Sequence, residues 1–255
     1  MIELIRIQNK LFAEIEVNNK KALMLFDTGA GRSYISEDFA VNCKIVAKAK
    51  SAGQTGRLGN LKDVKEISNI LIDRINFNNH HFIIDEKFKI YFPCDGVLGI
   101  DLLSKMNIKL DFKNYTFSFN TADIEIGIPF SINNNKIYLN PKINGTEVTN
   151  LIFDTGATNL SIEKELVPKL NLKLIKNDAD LKIGDSNGHL IDFETYKINT
   201  FEIENLKKQN IISYGYCFKK SRKLKNLNQN GIIGKSIFDG HIFNFDFKSK
   251  FCSIE

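Results

Sequence analysis

The chain has 255 residues, a formal net charge of +5, and 43% apolar and 11% aromatic residues. That is enough to bury a sizeable core, and too mild a charge to specify a nucleic-acid partner by itself. Nothing in it approaches the roughly 18 consecutive apolar residues that a membrane span requires, and abundant Phe, Ile and Asn with only 4 Pro favour strands joined by Asn-rich turns over helical bundles, so the expectation is a soluble, mostly β protein.

The start, Met1-Ile2-Glu3-Leu4-Ile5-Arg6, lacks the basic opening and continuous apolar segment of a secretory signal, so the chain as given is expected to be cytosolic or already trimmed. Ile15-Glu16-Val17, Asn18-Asn19 and Ala22-Leu23-Met24-Leu25-Phe26 read as strand, hairpin turn and buried strand, because Asn tolerates positive φ. Asp27-Thr28-Gly29-Ala30 follows directly, and downstream come Gly96-Val97-Leu98-Gly99, the alternating run Ile108-Lys109-Leu110-Asp111-Phe112, a Lys-bearing turn and another strand.

After a joint near Thr121 to Gly127 the pattern repeats. Lys142-Ile143, Asn144-Gly145 and Leu151-Ile152-Phe153 lead into Asp154-Thr155-Gly156-Ala157, then Gly231-Ile232-Ile233-Gly234 and the alternating run from His241 to Phe247. The second copy is several residues longer between acid and glycine element, which a surface loop absorbs at small entropic cost. Two compact β units of roughly 120 residues each are expected, spanning 1–122 and 123–255.

Other constellations exclude more than they suggest. Cys43, Cys94, Cys217 and Cys252 have no Cys-x-x-Cys spacing, which argues against zinc and favours free thiols over one disulfide per half. His80, His81, His189 and His241 are too scattered for a metal set or a Ser-His-Asp triad, and are expected to be structural or surface residues. The basic run Lys219-Lys220-Ser221-Arg222-Lys223-Leu224-Lys225 reads as a solvated loop rather than a nucleic-acid patch, since no aromatic residues interleave to stack bases. Neither a phosphate-cradling glycine loop nor a dinucleotide fingerprint is present.

Two identical acidic turns, each ending an apolar strand, suggest two halves of one site. Carboxyl groups held about 3 Å apart cannot both ionise, so the pair shares a proton and supplies one acid and one base. Water bound between such a pair, here Asp27 and Asp154, can lose a proton to the ionised carboxylate and attack a peptide carbonyl, which the protonated carboxyl polarises. The chemistry calls for no metal and no cofactor. Gly29 and Gly156, lacking Cβ, let the backbones approach the acids, while the hydroxyls of Thr28 and Thr155 are able to reach across and lock the two loops in register.

On these residues the chain resembles the retropepsin-like aspartic proteases, with two units fused in tandem as in the bilobal pepsins. The resemblance rests on Phe26-Asp27-Thr28-Gly29-Ala30 with Gly96-Val97-Leu98-Gly99-Ile100-Asp101-Leu102-Leu103, and on Phe153-Asp154-Thr155-Gly156-Ala157 with Gly231-Ile232-Ile233-Gly234-Lys235-Ser236. It implies a bilobal acid-protease fold of two retropepsin-like β-barrel lobes about a pseudo-two-fold axis. It also implies catalysis by Asp27 and Asp154, cross-lobe contacts from Thr28 and Thr155, and packing roles for Val97-Leu98 and Ile232-Ile233. The partner implied is a polypeptide in extended conformation, cleaved by a monomer with an intramolecular pseudo-dimer, and the Phe-rich and Ile-rich composition suggests apolar side chains flanking the cleaved bond.

Several positions depart from family patterns. Ala30 and Ala157 stand where pepsins have Ser or Thr, and Gly99-Ile100-Asp101 and Gly234-Lys235-Ser236 replace the Gly-Arg-Asp or Gly-Arg-Asn of retroviral enzymes. Without a hydroxyl donor to the dyad, activity is expected in the range of about pH 4 to 6. Flap candidates are Gly53, Gln54, Thr55 and Gly56 in the first half, and Gly184, Asp185 and Gly188 in the second. Alternatives with the same fold are a non-catalytic peptide-binding module and a homodimer pairing like lobes.

Overall fold

A computed structural model describes residues 1–45, 53–54, 61–62, 64–67, 69–85, 93–119, 123–184, 190–217 and 229–255. The molecule is mostly β, and its described helices are short: Glu37–Asn42, Ile100–Leu103, Lys235–Phe238 and a 3-10 turn at Lys164–Leu166. Primed turns explain how so many strands connect. Asn18 and Asn19 sit at φ 48° and 62°, and Asn144 and Gly145 at φ 49° and 81°, the left-handed conformation a tight two-residue hairpin demands.

The same local arrangement is built twice. In the first half, the strand Lys20–Phe26 runs parallel to Gly96–Leu98, with Met24 opposite Gly96 and Phe26 opposite Leu98. Gly96–Leu98 in turn lies antiparallel to Tyr34–Ser36. In the second half, Leu151–Phe153 runs parallel to Gly231–Ile233, and Leu160–Glu163 lies antiparallel to that strand. Gly96 and Gly231 are dictated by close approach: a Cβ would lie 2.2 Å from the Tyr34 carbonyl oxygen in one copy and 2.3 Å from that of Ser161 in the other. Each acid therefore emerges from a strand clamped by its glycine element.

Strands of both halves merge in one sheet, whose middle runs Phe251–Ile254, Ile242–Asp246, Ile108–Asp111, Thr116–Phe119 and Ile2–Ile7. The seam pairs Ile108 with Phe245 and Leu110 with Phe243. Phenylalanine fills this floor. Phe26 packs at 5.0 Å from Phe117, while Phe153 stacks at 4.0 Å on Phe238 and meets Phe245 at 4.9 Å. Phe26 and Phe153, which immediately precede the two acids, are fully buried, and truncating such a ring costs about 3–5 kcal/mol. Composition thus reports on the core beneath the site.

Turns after the floor strands also repeat. Asp111 Oδ1 accepts from the backbone of Lys113 and Asn114, and Asp246 Oδ1 from that of Lys248 and Ser249. Asp246 Oδ2 further accepts from Ile124 N at 3.0 Å, tying the start of the second half to its own last hairpin. Burial opposes ionisation there, yet the N–H groups of Ile124, Ser249 and Lys248 and the Ser249 side chain hold the Asp246 carboxyl down at about 2. Residues 120–122 of the joint and the basic run 219–225 lie outside the described residues. All four cysteines are free thiols, and no described helix is long and apolar enough to cross a membrane.

Candidate active site

Asp27 and Asp154 occupy equivalent places, each just past a buried strand and held by a backbone bond to the parallel partner. Asp27 N donates to Leu98 O and Asp154 N to Ile233 O, both at 3.1 Å. The turns then wrap the carboxyls: Asp27 Oδ1 accepts from Gly29 N at 2.9 Å and Ala30 N at 3.1 Å, and Asp154 Oδ1 from Ala157 N at 2.9 Å. The alanines contribute backbone donors to the acids.

The two turns interlock through their threonines. Thr28 Oγ1 donates to Phe153 O at 2.9 Å and accepts from Thr155 N at 3.0 Å; Thr155 Oγ1 donates to Phe26 O at 2.9 Å and accepts from Thr28 N at 3.1 Å. Both threonines are buried, so these four bonds form in a dry interface where a lost partner is costly. They fix the two strand ends against each other and, through them, the two acids.

Gly29 and Gly156 permit the carboxyls to meet. A Cβ on Gly29 would lie 2.2 Å from Asp154 Cγ, and one on Gly156 2.5 Å from Asp27 Cγ. Each glycine leaves the space that the opposite acid occupies. The Asp27 carboxyl is raised well above its ordinary value, first by burial, then by the charge of Asp154 and the hydrogen bond with it; the ammonium groups of Lys136 and Lys10 oppose the rise. A half-buried carboxyl pair that shares a proton supplies an acid and a base at one point in space.

Behind the first acid turn lies a polar buttress. Ser33 Oγ donates to Asp101 Oδ1 at 2.7 Å, Ser33 N to Asp101 Oδ2 at 3.1 Å, and Gly99 N to Ser33 Oγ at 3.0 Å. His80 Nε2 lies 3.3 Å from Asp101 Oδ2, with both side chains buried. Asp101, read from the sequence only as part of the glycine element, thus pins the exit of the acid turn. The second copy uses a different device: Lys235 pairs with Asp239 at 3.1 Å, and Ser236 N donates to Thr158 O.

Of the flap candidates, Gly53–Gln54 forms a short antiparallel ladder with Leu61–Lys62, while Thr55 and Gly56 lie outside the described residues. Gly184 pairs with Leu190 at the end of a long hairpin, and Asp185 and Gly188 lie outside the described residues. Among the described residues no group of three or more His, Cys, Asp or Glu is positioned to hold a metal ion. Two contributors escaped the sequence reading: Lys10 Nζ donates to Gly156 O, and Lys136 Nζ donates to Gly29 O at 2.9 Å. The recurrence of Asn9-Lys10 and Asn135-Lys136 at matching places in the two copies is the signal that would have found them.

Comparison with known proteins matches residues 13–105 to the family model described as "gag-polyprotein putative aspartyl protease" and residues 139–237 to the model described as "Aspartyl protease". No curated protein matches by sequence. Among solved structures, the chain is similar to the Basic 7S globulin from soybean, at 9% identity over 100% of this chain and 95% of that one, with a TM-score of 0.53, a likeness of fold. A retropepsin-like aspartic protease from Rickettsia conorii aligns at 19% identity over 50% of this chain and 92% of its own, with a TM-score of 0.35.

Proposed function

From the premise that this chain belongs to the retropepsin-like aspartic proteases, with two such units in tandem on a bilobal acid-protease fold, we propose that it is an endopeptidase that hydrolyses peptide bonds with water activated between Asp27 and Asp154. The observation that carries this reading is the mutual approach of the two acid turns, in which each glycine makes room for the opposite carboxyl. A cleft that only bound peptides would have no use for two half-buried carboxyls in contact, because desolvating them together is costly.

In the working cycle the pair holds one proton. The ionised carboxylate takes a proton from the water as it attacks the scissile carbonyl carbon, and the protonated carboxyl donates to the carbonyl oxygen as charge develops there. Collapse of the tetrahedral intermediate returns a proton to the leaving amine and restores the singly protonated pair. Backbone N–H groups of Gly29, Ala30 and Ala157 hold the carboxyl oxygens throughout. The substrate is a polypeptide in extended conformation, and the acting species is a monomer whose units are residues 1–122 and 123–255.

Incubation of the protein with casein at a series of pH values, with and without pepstatin, followed by mass spectrometry of the products, tests the proposal. Internal cuts suppressed by pepstatin are expected. Intact casein at every pH from about 3 to 8 with a folded protein would refute it.

A further inference from the structure

Two hairpin tips cross between the halves of this molecule. Gln8 and Asn9 lie at φ 48° and 63°, and Asn134 and Asn135 at φ 49° and 52°, so each pair forms a primed two-residue turn. Lys10 and Lys136 are the residues that follow those turns, at the same place in the two copies. Each is half-buried, and each delivers its ammonium group to the acid turn of the other half: Lys10 to the Gly156 carbonyl, Lys136 to the Gly29 carbonyl. The second tip adds a bond from Asn135 Nδ2 to Gly31 O at 3.0 Å, and it lies so close that a Cβ on Gly31 would come within 3.2 Å of Asn134 O.

We propose that Lys10 and Lys136 are a matched pair of positioning residues, each reaching from one half to hold the acid turn of the other and together stabilising the singly ionised state of the Asp27–Asp154 pair. The inference rests on the proteolytic reading above and extends it to groups that touch neither water nor substrate in the reaction. A lysine on a glycine carbonyl fixes the peptide unit that shapes the space for the opposite carboxyl. Its charge favours the anionic form of the Asp27 carboxyl. The charged groups acting on Asp27 are Asp154, which raises it, and Lys136 and Lys10, which lower it. One lysine from each half is therefore anchored on the acid turn of the other.

The test compares wild type with Lys10→Met, Lys136→Met and the double variant, which keep most of the side-chain bulk, and with Lys10→Arg and Lys136→Arg, which keep the charge. Two quantities are followed from pH 3 to 9: kcat/KM on a peptide excised from a mapped casein cut, and the free energy of unfolding in urea. Each methionine variant is expected to move both limbs of the rate profile upward by about half a pH unit, and the double variant by about one unit, with kcat falling more than KM rises. The arginine variants should restore the wild-type limbs. Unmoved limbs in an active double variant would overturn the inference while leaving the proteolytic reading intact, since a merely structural lysine lowers rate or stability without shifting titration. Should the wild type cleave nothing, the unfolding data still decide. An upward shift of the pH at which stability falls, in the methionine variants alone, supports the pair's hold on the dyad; an unchanged curve overturns it.

Discussion

Replacing Thr28 with valine keeps the side-chain shape and deletes one oxygen, yet that oxygen closes two bonds between the halves. It donates to Phe153 O at 2.9 Å and accepts from Thr155 N at 3.0 Å, and Thr28 is wholly buried. Valine leaves a carbonyl and an N–H without partners in a dry interface, at about 1–3 kcal/mol each. We therefore expect Thr28→Val to lose about 2–5 kcal/mol of stability. Thr155→Val should behave alike, since its hydroxyl serves Phe26 O and Thr28 N. The double variant should lose less than the sum, because the four bonds form one ring of shared partners. Urea unfolding followed by circular dichroism measures the loss, with Thr28→Ser, which retains the hydroxyl, as the control. Activity should fall in parallel by at least about 100-fold, the scale of a misplacement near 1 Å. A Thr28→Val protein within about 0.5 kcal/mol of the serine variant, with undiminished activity, would refute the view that this ring holds the acids in register.

Gly29→Ala would set a Cβ 2.2 Å from Asp154 Cγ, so the opposite carboxyl must move away; casein cleavage should fall by about 100-fold or more while circular dichroism still reports a folded β protein. Because the folded-state value of Asp27 is raised above the ordinary carboxyl value of about 4 by burial and then by Asp154, its contribution to stability is fully present below about pH 4 and is lost as pH climbs through the raised value. Thermal unfolding at pH 4, 6 and 8 should therefore show a downward slope in wild type that Asp27→Asn abolishes; an equal slope in both would contradict the shift. Ala30→Ser adds a hydroxyl at a turn whose backbone already donates to Asp27, and a donor to the ionised carboxylate should move the acidic limb of the rate profile downward. A wild-type optimum near pH 2, unaffected by this substitution, would show that other groups set the titration.

The parts of this structure that were legible in the chain are those where the chemistry leaves few choices. An acid at the end of a buried strand, a glycine that must lack Cβ and a threonine that must reach across recur within one repeated run of four residues, Asp-Thr-Gly-Ala, and the parallel partner strands recur as Gly96-Val97-Leu98-Gly99 and Gly231-Ile232-Ile233-Gly234. The seam between the halves was harder to read, because pairing Ile108 with Phe245 depends on a register that only the assembled floor defines. Lys10 and Lys136 escaped for a different reason. Lysine is the commonest solvated side chain, and nothing local distinguishes one that bends onto a distant glycine carbonyl. Nor does the count of 20 phenylalanines say where they pack: Phe26, Phe117, Phe153, Phe238 and Phe245 lie in the core beneath the acids.

The most direct measurement compares casein cleavage by wild type, Asp27→Asn and Asp154→Asn, each verified as a folded monomer by sedimentation at the assay concentration. The account requires both carboxyls in one molecule, so each single substitution should abolish the pepstatin-sensitive cuts while leaving the unfolding transition in place. Near wild-type turnover by either monomeric variant would contradict it, because a lone carboxyl cannot be acid and base at once.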